Sequence, residues 1–270
     1  MSIRRLCPEM LISIWGRNEK SLDEVRAKGL ADAVTIHPEE AVAGADLVLF
    51  STPVDVMEGL AVSIAPHLEN HAVITDAGSV KSTVVEKLTG AFGNRFVGAH
   101  PMAGSERSGL VAAKADLFLG SPCILTPLTT SDPLAVEIVT AFWSSLGSVI
   151  SVMTPAEHDR MAARLSHLPH VLAYSLVNLA ATTLPEGVSI LSGGSYRDAT
   201  RVALSNPGLW TGILMENRTE VAAAVNDMAS GLSSIAAMLE KGDAQSLLDL
   251  LIRAKNHRDS MPAPLSRPST

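Results

Sequence analysis

At 270 residues, with 47% hydrophobic and 18% charged side chains, the chain is long enough for two folded domains and does not belong to the disordered class. A net charge of −7 argues against a polyanion-binding protein, because neutralising phosphates needs a basic face, yet a small anionic substrate needs only two or three convergent cations in a cleft. Cys7 and Cys123 are too few for a disulfide framework or a four-cysteine zinc site. No apolar run reaches membrane-spanning length and no signal-peptide core follows Met1, so a soluble cytoplasmic protein is expected.

The first half alternates short apolar runs with helical patterns. Leu11–Trp15 reads as a strand, Glu19–Lys28 as a helix stopping near Gly29, Val34–His37 as a strand, and Pro38 opens a short helix with acids in its first turn. There follow a strand over Leu47–Phe50, a helix over Val54–Ala65, a strand over Ala72–Thr75 and a helix over Val80–Leu88. Strands at Arg95–Gly98 and Pro122–Thr126, a helix over Pro133–Leu146 and a strand over Ser148–Val152 complete the series. This alternation predicts a doubly wound, mainly parallel α/β sheet. From Thr154-Pro155 onward only helical periodicity remains, over Ala156–Thr183, Pro207–Met228, Gly231–Glu240 and Ala244–Arg258, with a loop at Gly193-Gly194-Ser195. The domain boundary is therefore expected near Val152, giving units 1–152 and 153–270. In a chain with only 4% aromatics, the helical half is expected to bury its apolar faces against a second copy, making a homodimer; a bundle packed only on its own sheet domain is the alternative.

In an open parallel sheet, ligands bind at the carboxyl ends of the strands. Three such ends carry suggestive residues: Phe50-Ser51-Thr52-Pro53, Asp76-Ala-Gly78-Ser79-Val-Lys81, and Gly98-Ala-His100-Pro101. Gly78 permits close backbone approach, and Ser79 could present its hydroxyl to a ligand or simply cap the next helix. His100 could accept a proton near neutral pH, as alcohol oxidation requires, or anchor a loop carbonyl. In Ser166-His167-Leu168-Pro169-His170 the two histidines fit one helix face, but without an H-E-x-x-H or cysteine cluster metal binding is not expected, and His170 reads as a polar anchor in a substrate cleft. Arg197 and Arg201, four apart, suit carboxylate recognition or a surface charge cluster. Neither a G-x-S-x-G elbow nor a Walker A loop occurs.

Taken in order, Asp76–Lys81, Phe96–Glu106, Asp116-Leu-Phe118, Ser166–His170 and Arg197–Arg201 resemble the prephenate/arogenate dehydrogenase family over nearly the whole chain. The resemblance implies a Rossmann-type domain, a helical dimerisation domain and an active site between them. The implied reaction is oxidative decarboxylation of prephenate or arogenate with hydride transfer to NAD or NADP, in tyrosine biosynthesis. By the family pattern His100 takes the proton of the ring hydroxyl and Ser79 assists. Arg201 binds a substrate carboxylate and His170 lines the pocket, with Ser105 and Gly194 at the side-chain end of the substrate. Arg17, Asn18, Ser51, Thr52, Pro53 and Gly78 fall where the cofactor lies, and Arg17, standing where an acid usually holds the ribose, makes NADP as plausible as NAD.

The chain departs from the family in lacking a first strand and a G-x-G-x-x-G phosphate loop. A start assigned too late is the expectation, since true truncation would leave sheet edges exposed. The alternative is a cofactor-less dimeric protein that binds an aromatic-pathway acid.

Overall fold

A computed structural model describes residues 1–104, 109–185 and 193–261. A short helix α1 (Ser2–Leu6) precedes strand β1 (Ser13–Trp15), helix α2 (Glu19–Ala27), β2 (Ala33–Thr35) and α3 (Pro38–Val42). Then come β3 (Leu47–Phe50), α4 (Met57–Ile64), β4 (Val73–Asp76), α5 (Ser82–Phe92), β5 (Phe96–Pro101), β6 (Pro122–Thr126), α6 (Pro133–Ser145) and β7 (Val149–Val152). β1 and β2 form a parallel pair of their own. The other five strands form one sheet in the order β3-β4-β5-β6-β7, parallel except where β6 runs antiparallel to β5. The expected single sheet is thus divided: β1 and β3 do not pair, and each pairs on one side only.

Helices cover both faces of the larger sheet, which is why β4 and β5 are buried along their lengths, apolar at first and polar only toward their carboxyl ends at Thr75, Asp76 and His100. On one face Met57, Ala61 and Ile64 of α4 and Val84, Val85 and Leu88 of α5 meet Phe50, Ile74 and Phe96. On the other, Val139, Phe142 and Trp143 of α6 pack on Val73, Val97, Ala99 and Leu125, with Ile3 and Cys7 at the margin. Each fully buried large side chain contributes about 1.5–3 kcal/mol of apolar transfer free energy, so the strand ends sit on a rigid platform. Gly98 is required by this packing. A Cβ there would lie 2.5 Å from Thr126 Oγ1 and 2.8 Å from Val85 Cγ2.

The remaining helices are α7 (Pro155–Ala162), α8 (Leu168–Thr183), α9 (Gly194–Thr200), α10 (Pro207–Glu216), α11 (Arg218–Lys241) and α12 (Ala244–Ser260). α7 and α8 are joined through a π-helical turn over Ala163–His167, so the expected helix over Ala156–Thr183 is continuous but not regular. The wider turn lies just ahead of Pro169, which has no N–H to donate and falls in the first turn of α8. The expected break near Gly231 is absent, because α11 runs through it, and the chain breaks at Asn217 instead. Asn217 is buried, and its side-chain amide donates to the Asp159 carbonyl at 2.9 Å, a tertiary bond that fixes the corner.

Ala163, Leu168, Val221 and Ala224 form the core of the helical half. Val80, in the loop after β4, packs on Trp210 and Ile213 of α10, tying that loop to the helices. Leu179 of α8, Leu232 and Leu239 of α11 and Leu248 and Leu251 of α12 are exposed in the single chain. Among the described residues no helix is long and apolar enough to cross a membrane.

Candidate active site

The site grows from the carboxyl ends of β4 and β5. Asp76 ends β4 wholly buried, and its carboxylate accepts from the Gly78 and Ala99 backbone N–H groups and from the Lys81 ammonium. Lys81 Nζ, equally buried, also donates to the Ala99 carbonyl at 2.8 Å. This ion pair clamps the loop 77–81 to the backbone residue immediately before His100. Burial pulls the Lys81 pKa down, and the Asp76 charge opposes that shift. Gly78 is needed for the same tight turn, since a Cβ there would meet Val54 Cγ1 at 2.8 Å and Asp76 Oδ2 at 2.9 Å. The space beside Gly78 is therefore filled by the protein itself.

Helix α5 begins at Ser82, later than the sequence pattern suggested, and Ser79 is not its cap. The capping group comes from far away in sequence. Asp159 on α7 accepts from Lys81 N at 2.7 Å and from Ser82 N at 2.8 Å, satisfying two N–H groups at the helix start. With that task taken by Asp159, Ser79 is left half-buried in the loop.

His100 lies within β5 rather than beyond it, since β5 runs to Pro101. Its ring is largely buried, and Nδ1 sits 2.8 Å from Nε2 of His158. His158 Nδ1 in turn sits 2.8 Å from Asp159 Oδ1. Burial drives the His100 pKa well below the ordinary histidine range, helped by the neighbouring His158, Lys81 and His167, with Asp159 acting the other way. For Asp159 burial acts upward, but hydrogen bonds from His158, Ser82 and Lys81 prevail and lower the carboxyl pKa. The resting pair is a neutral imidazole and a carboxylate.

A second branch leads from Asp159 to the helical half. Asn217, already bonded to the Asp159 carbonyl, also lies 3.2 Å from His167 Nδ1. His167 is fully buried and its pKa is lowered to about 4, chiefly by burial. Trp210 meets the His167 ring edge-on and stacks on His170 with ring centroids 3.4 Å apart. His170 Nδ1 is held by the Ser166 carbonyl at 2.9 Å, and Arg201 is near enough for its charge to help lower the His170 pKa, after burial. Gly194 is exposed at the start of α9, where the sequence suggested a loop. Ser105 lies outside the described residues.

The strand ends facing a dinucleotide in this architecture are those of β1 and β3. Arg17 is exposed after β1, and Asn18 caps α2 by accepting from Ser21 N. After β3 come exposed Ser51, then Thr52 and Pro53, half-buried. Thr52 Oγ1 is buried with no hydrogen-bond partner among the described residues. Such an orphan hydroxyl at a strand end fits a polar ligand group, so these residues suit the nicotinamide and adenosine-ribose ends of a cofactor. Among the described residues no three His, Cys, Asp or Glu side chains come together as a metal-ion site. Burial pushes the Cys123 thiol up to about 12, so this cysteine is no nucleophile.

The structure thus brings His100, the Ser79 loop, His170 and Arg201 into one connected region. It adds Lys81, His158, Asp159, His167, Trp210 and Asn217, which sequence reasoning did not single out for this site. One local signal was available for two of them. Thr154 and Glu157 form a capping box that starts α7 and puts His158 and Asp159 in its first turns.

Comparison with known proteins gives a consistent result. A family model described as the prephenate dehydrogenase nucleotide-binding domain matches residues 1–152, and one described as the prephenate dehydrogenase dimerization domain matches 154–253. Cyclohexadienyl dehydrogenase of Zymomonas mobilis is 36% identical over 247 residues, which is 90% of this chain and 84% of that protein. Prephenate dehydrogenase of Bacillus subtilis is 35% identical, over 80% of this chain and 59% of its own length. Among solved structures, Aquifex aeolicus prephenate dehydrogenase in complex with hydroxyphenyl propionate and NAD+ superposes with a TM-score of 0.90 at 30% identity, covering 97% of this chain and 92% of that one. Synechocystis arogenate dehydrogenase gives 0.80 at 25% identity, covering 96% and 93%.

Proposed function

The chain belongs to the prephenate dehydrogenase family, and on that premise we propose that it oxidatively decarboxylates prephenate or arogenate, passing a hydride to NAD or NADP, in tyrosine biosynthesis. The observation that carries this reading is a buried, neutral His100 at the end of β5, beside the Ser79 loop and connected to His170 and Arg201. The reading of the chain as a cofactor-less binding protein has no support from its relatives, which are dehydrogenases.

The bound nicotinamide supplies the hydride acceptor, and the residues of this chain do the rest. In prephenate the ring carbon that loses hydride also carries the hydroxyl, and the ring carboxylate leaves as carbon dioxide as the ring becomes aromatic. The balance of that reaction contains no free proton: the dianion becomes a monoanion, carbon dioxide and a hydride. His100 therefore takes the hydroxyl proton only for the time that the carbonyl character develops, and returns it to the phenolate. A low histidine pKa suits this role, because the transient imidazolium is then a strong acid toward a phenolate. Ser79 supplies a hydroxyl at the same place and steadies the oxygen.

Arg201 holds a substrate carboxylate and His170, fixed between Ser166 and Trp210, forms the wall beside it. Ser105 and Gly194 are assigned to the far end of the substrate. Thr52, Ser51, Pro53 and Gly78 line the nicotinamide side, Gly78 by shaping the turn rather than by contact. With Asn18 committed to capping α2, Arg17 is the residue available to a ribose 2′-phosphate. The exposed leucines of α8, α11 and α12 are assigned to a homodimer interface, in line with the dimerization-domain match, and the domain boundary is placed near Val152. We place the protein in the cytoplasm, where both of its cysteines remain thiols.

Replacing Arg201 by Leu is expected to raise the KM for prephenate about 10- to 100-fold, the worth of one charge-assisted hydrogen-bonded pair, with kcat changed only a few-fold. Steady-state kinetics with saturating NAD or NADP would check this. An unchanged KM would remove Arg201 from the substrate site.

A further inference from the structure

We propose that Asp159 and His158 form a hydrogen-bonded relay behind His100 that fixes which ring nitrogen of His100 receives the substrate proton, making His158 a positioning residue of the reaction. The inference rests on the reading of His100 as the proton acceptor, and its argument is a chain of donors and acceptors. A carboxylate only accepts. Asp159 accepts from Lys81 N, Ser82 N and His158 Nδ1, so His158 carries its proton on Nδ1. With His158 as a neutral ring, its Nε2 holds the lone pair and accepts, which makes His100 Nδ1 the donor across their 2.8 Å contact. The lone pair of His100 is thereby placed on Nε2.

Three features make the arrangement rigid. His158 has no exposed surface, and Asp159 is almost as deeply buried. The Asp159 carboxylate is bolted to the start of α5, while its carbonyl accepts from Asn217, so both the sheet half and the helical half hold it. The His100 and His158 rings meet edge-to-face with centroids 5.1 Å apart, so neither ring can turn over without displacing the other. Among the described residues the other ionisable groups around His100 are Lys81, which is spent on Asp76, His167, which is held neutral, and Cys123, whose thiol meets the His100 backbone and is pushed up to about 12 by burial. Among the described side chains it is His158 that hydrogen-bonds the His100 ring, with Asp159 behind it.

In the reaction the substrate O–H bond breaks and an N–H bond forms at His100 Nε2, leaving the bonding pair on the substrate oxygen. The resulting imidazolium donates through Nδ1 to His158, whose own Nδ1–H points at the Asp159 carboxylate, so the positive charge is stabilised along the relay. When the phenolate forms, the proton returns from Nε2 along the same path. No proton need leave the site, in keeping with the overall balance.

The test has two parts. In the wild-type protein, 15N spectra of the histidine rings at neutral pH are expected to show His100 protonated on Nδ1 and unprotonated on Nε2. The opposite tautomer overturns the relay whether or not the protein turns over. In kinetics, His158→Phe keeps a ring but offers no acceptor, and kcat is expected to fall about 100-fold or more, with substrate KM within about threefold. His158→Gln places an amide oxygen near the lost nitrogen and is expected to recover at least about tenfold of that loss. Near-normal kcat in His158→Phe, or no recovery in His158→Gln, overturns the proposal. Should the Phe variant not fold, a His158→Gln kcat more than about thirtyfold below wild type overturns it, and one within that range supports it. Absence of turnover in the wild type with every substrate and cofactor pair would instead overturn the dehydrogenase reading, leaving the ring-nitrogen spectra to decide the relay.

Discussion

Replacing His100 by Asn is expected to lower kcat by about 100- to 10,000-fold while leaving the fold and the substrate KM nearly unchanged, the loss typical of removing a general base. The asymmetry follows from the two sides of the ring. Asparagine can still present an N–H where His100 Nδ1 meets His158, so the buried contact at 2.8 Å keeps a donor. It offers nothing at the position of Nε2, where the substrate proton must go. A thermal unfolding midpoint close to wild type alongside lost turnover would match this account. A variant that turned over at a near-normal rate would remove His100 from the proton step.

The second large effect concerns stability. Lys81 and Asp76 are a wholly buried ion pair, and substituting Lys81 by Met is expected to destabilise the protein by about 3–5 kcal/mol, as removing one partner of such a pair does. Methionine replaces much of the stem but leaves the Asp76 carboxylate in the core with only the Gly78 and Ala99 N–H groups. It also frees the Ala99 carbonyl that Lys81 Nζ holds next to His100. Urea unfolding would measure the change. A loss under about 1 kcal/mol would mean that the two backbone donors alone satisfy the carboxylate.

Much of this was legible in the chain itself, for reasons that can be stated residue by residue. Leu47–Phe50 and Pro122–Thr126 are strands with the bounds expected from their apolar runs, half-buried up to Phe50 in the first and buried after Pro122 in the second. His100 could be picked out because a short strand and a proline bracket it. What escaped notice depends on contacts between distant segments. Ser79 carries the local pattern of a helix cap, but Asp159, more than seventy residues later, takes that place and α5 starts at Ser82. The helix break falls at Asn217 and not at Gly231, since a buried amide with two partners outweighs a glycine's weak preference against helix. No periodicity in the sequence could reveal that the His158 ring meets His100. The division of the sheet into β1-β2 and β3 to β7 is likewise a property of pairing, not of local pattern.

In the proposed reaction this chain couples hydride loss to decarboxylation through one histidine, His100. The most direct measurement is wild-type protein with prephenate and, separately, arogenate, each with NAD and with NADP, following reduced nicotinamide and released carbon dioxide together. Equal amounts of the two products are expected with prephenate or arogenate and at least one of the cofactors. Substrate binding without reduced nicotinamide, or reduced nicotinamide without carbon dioxide, would contradict it.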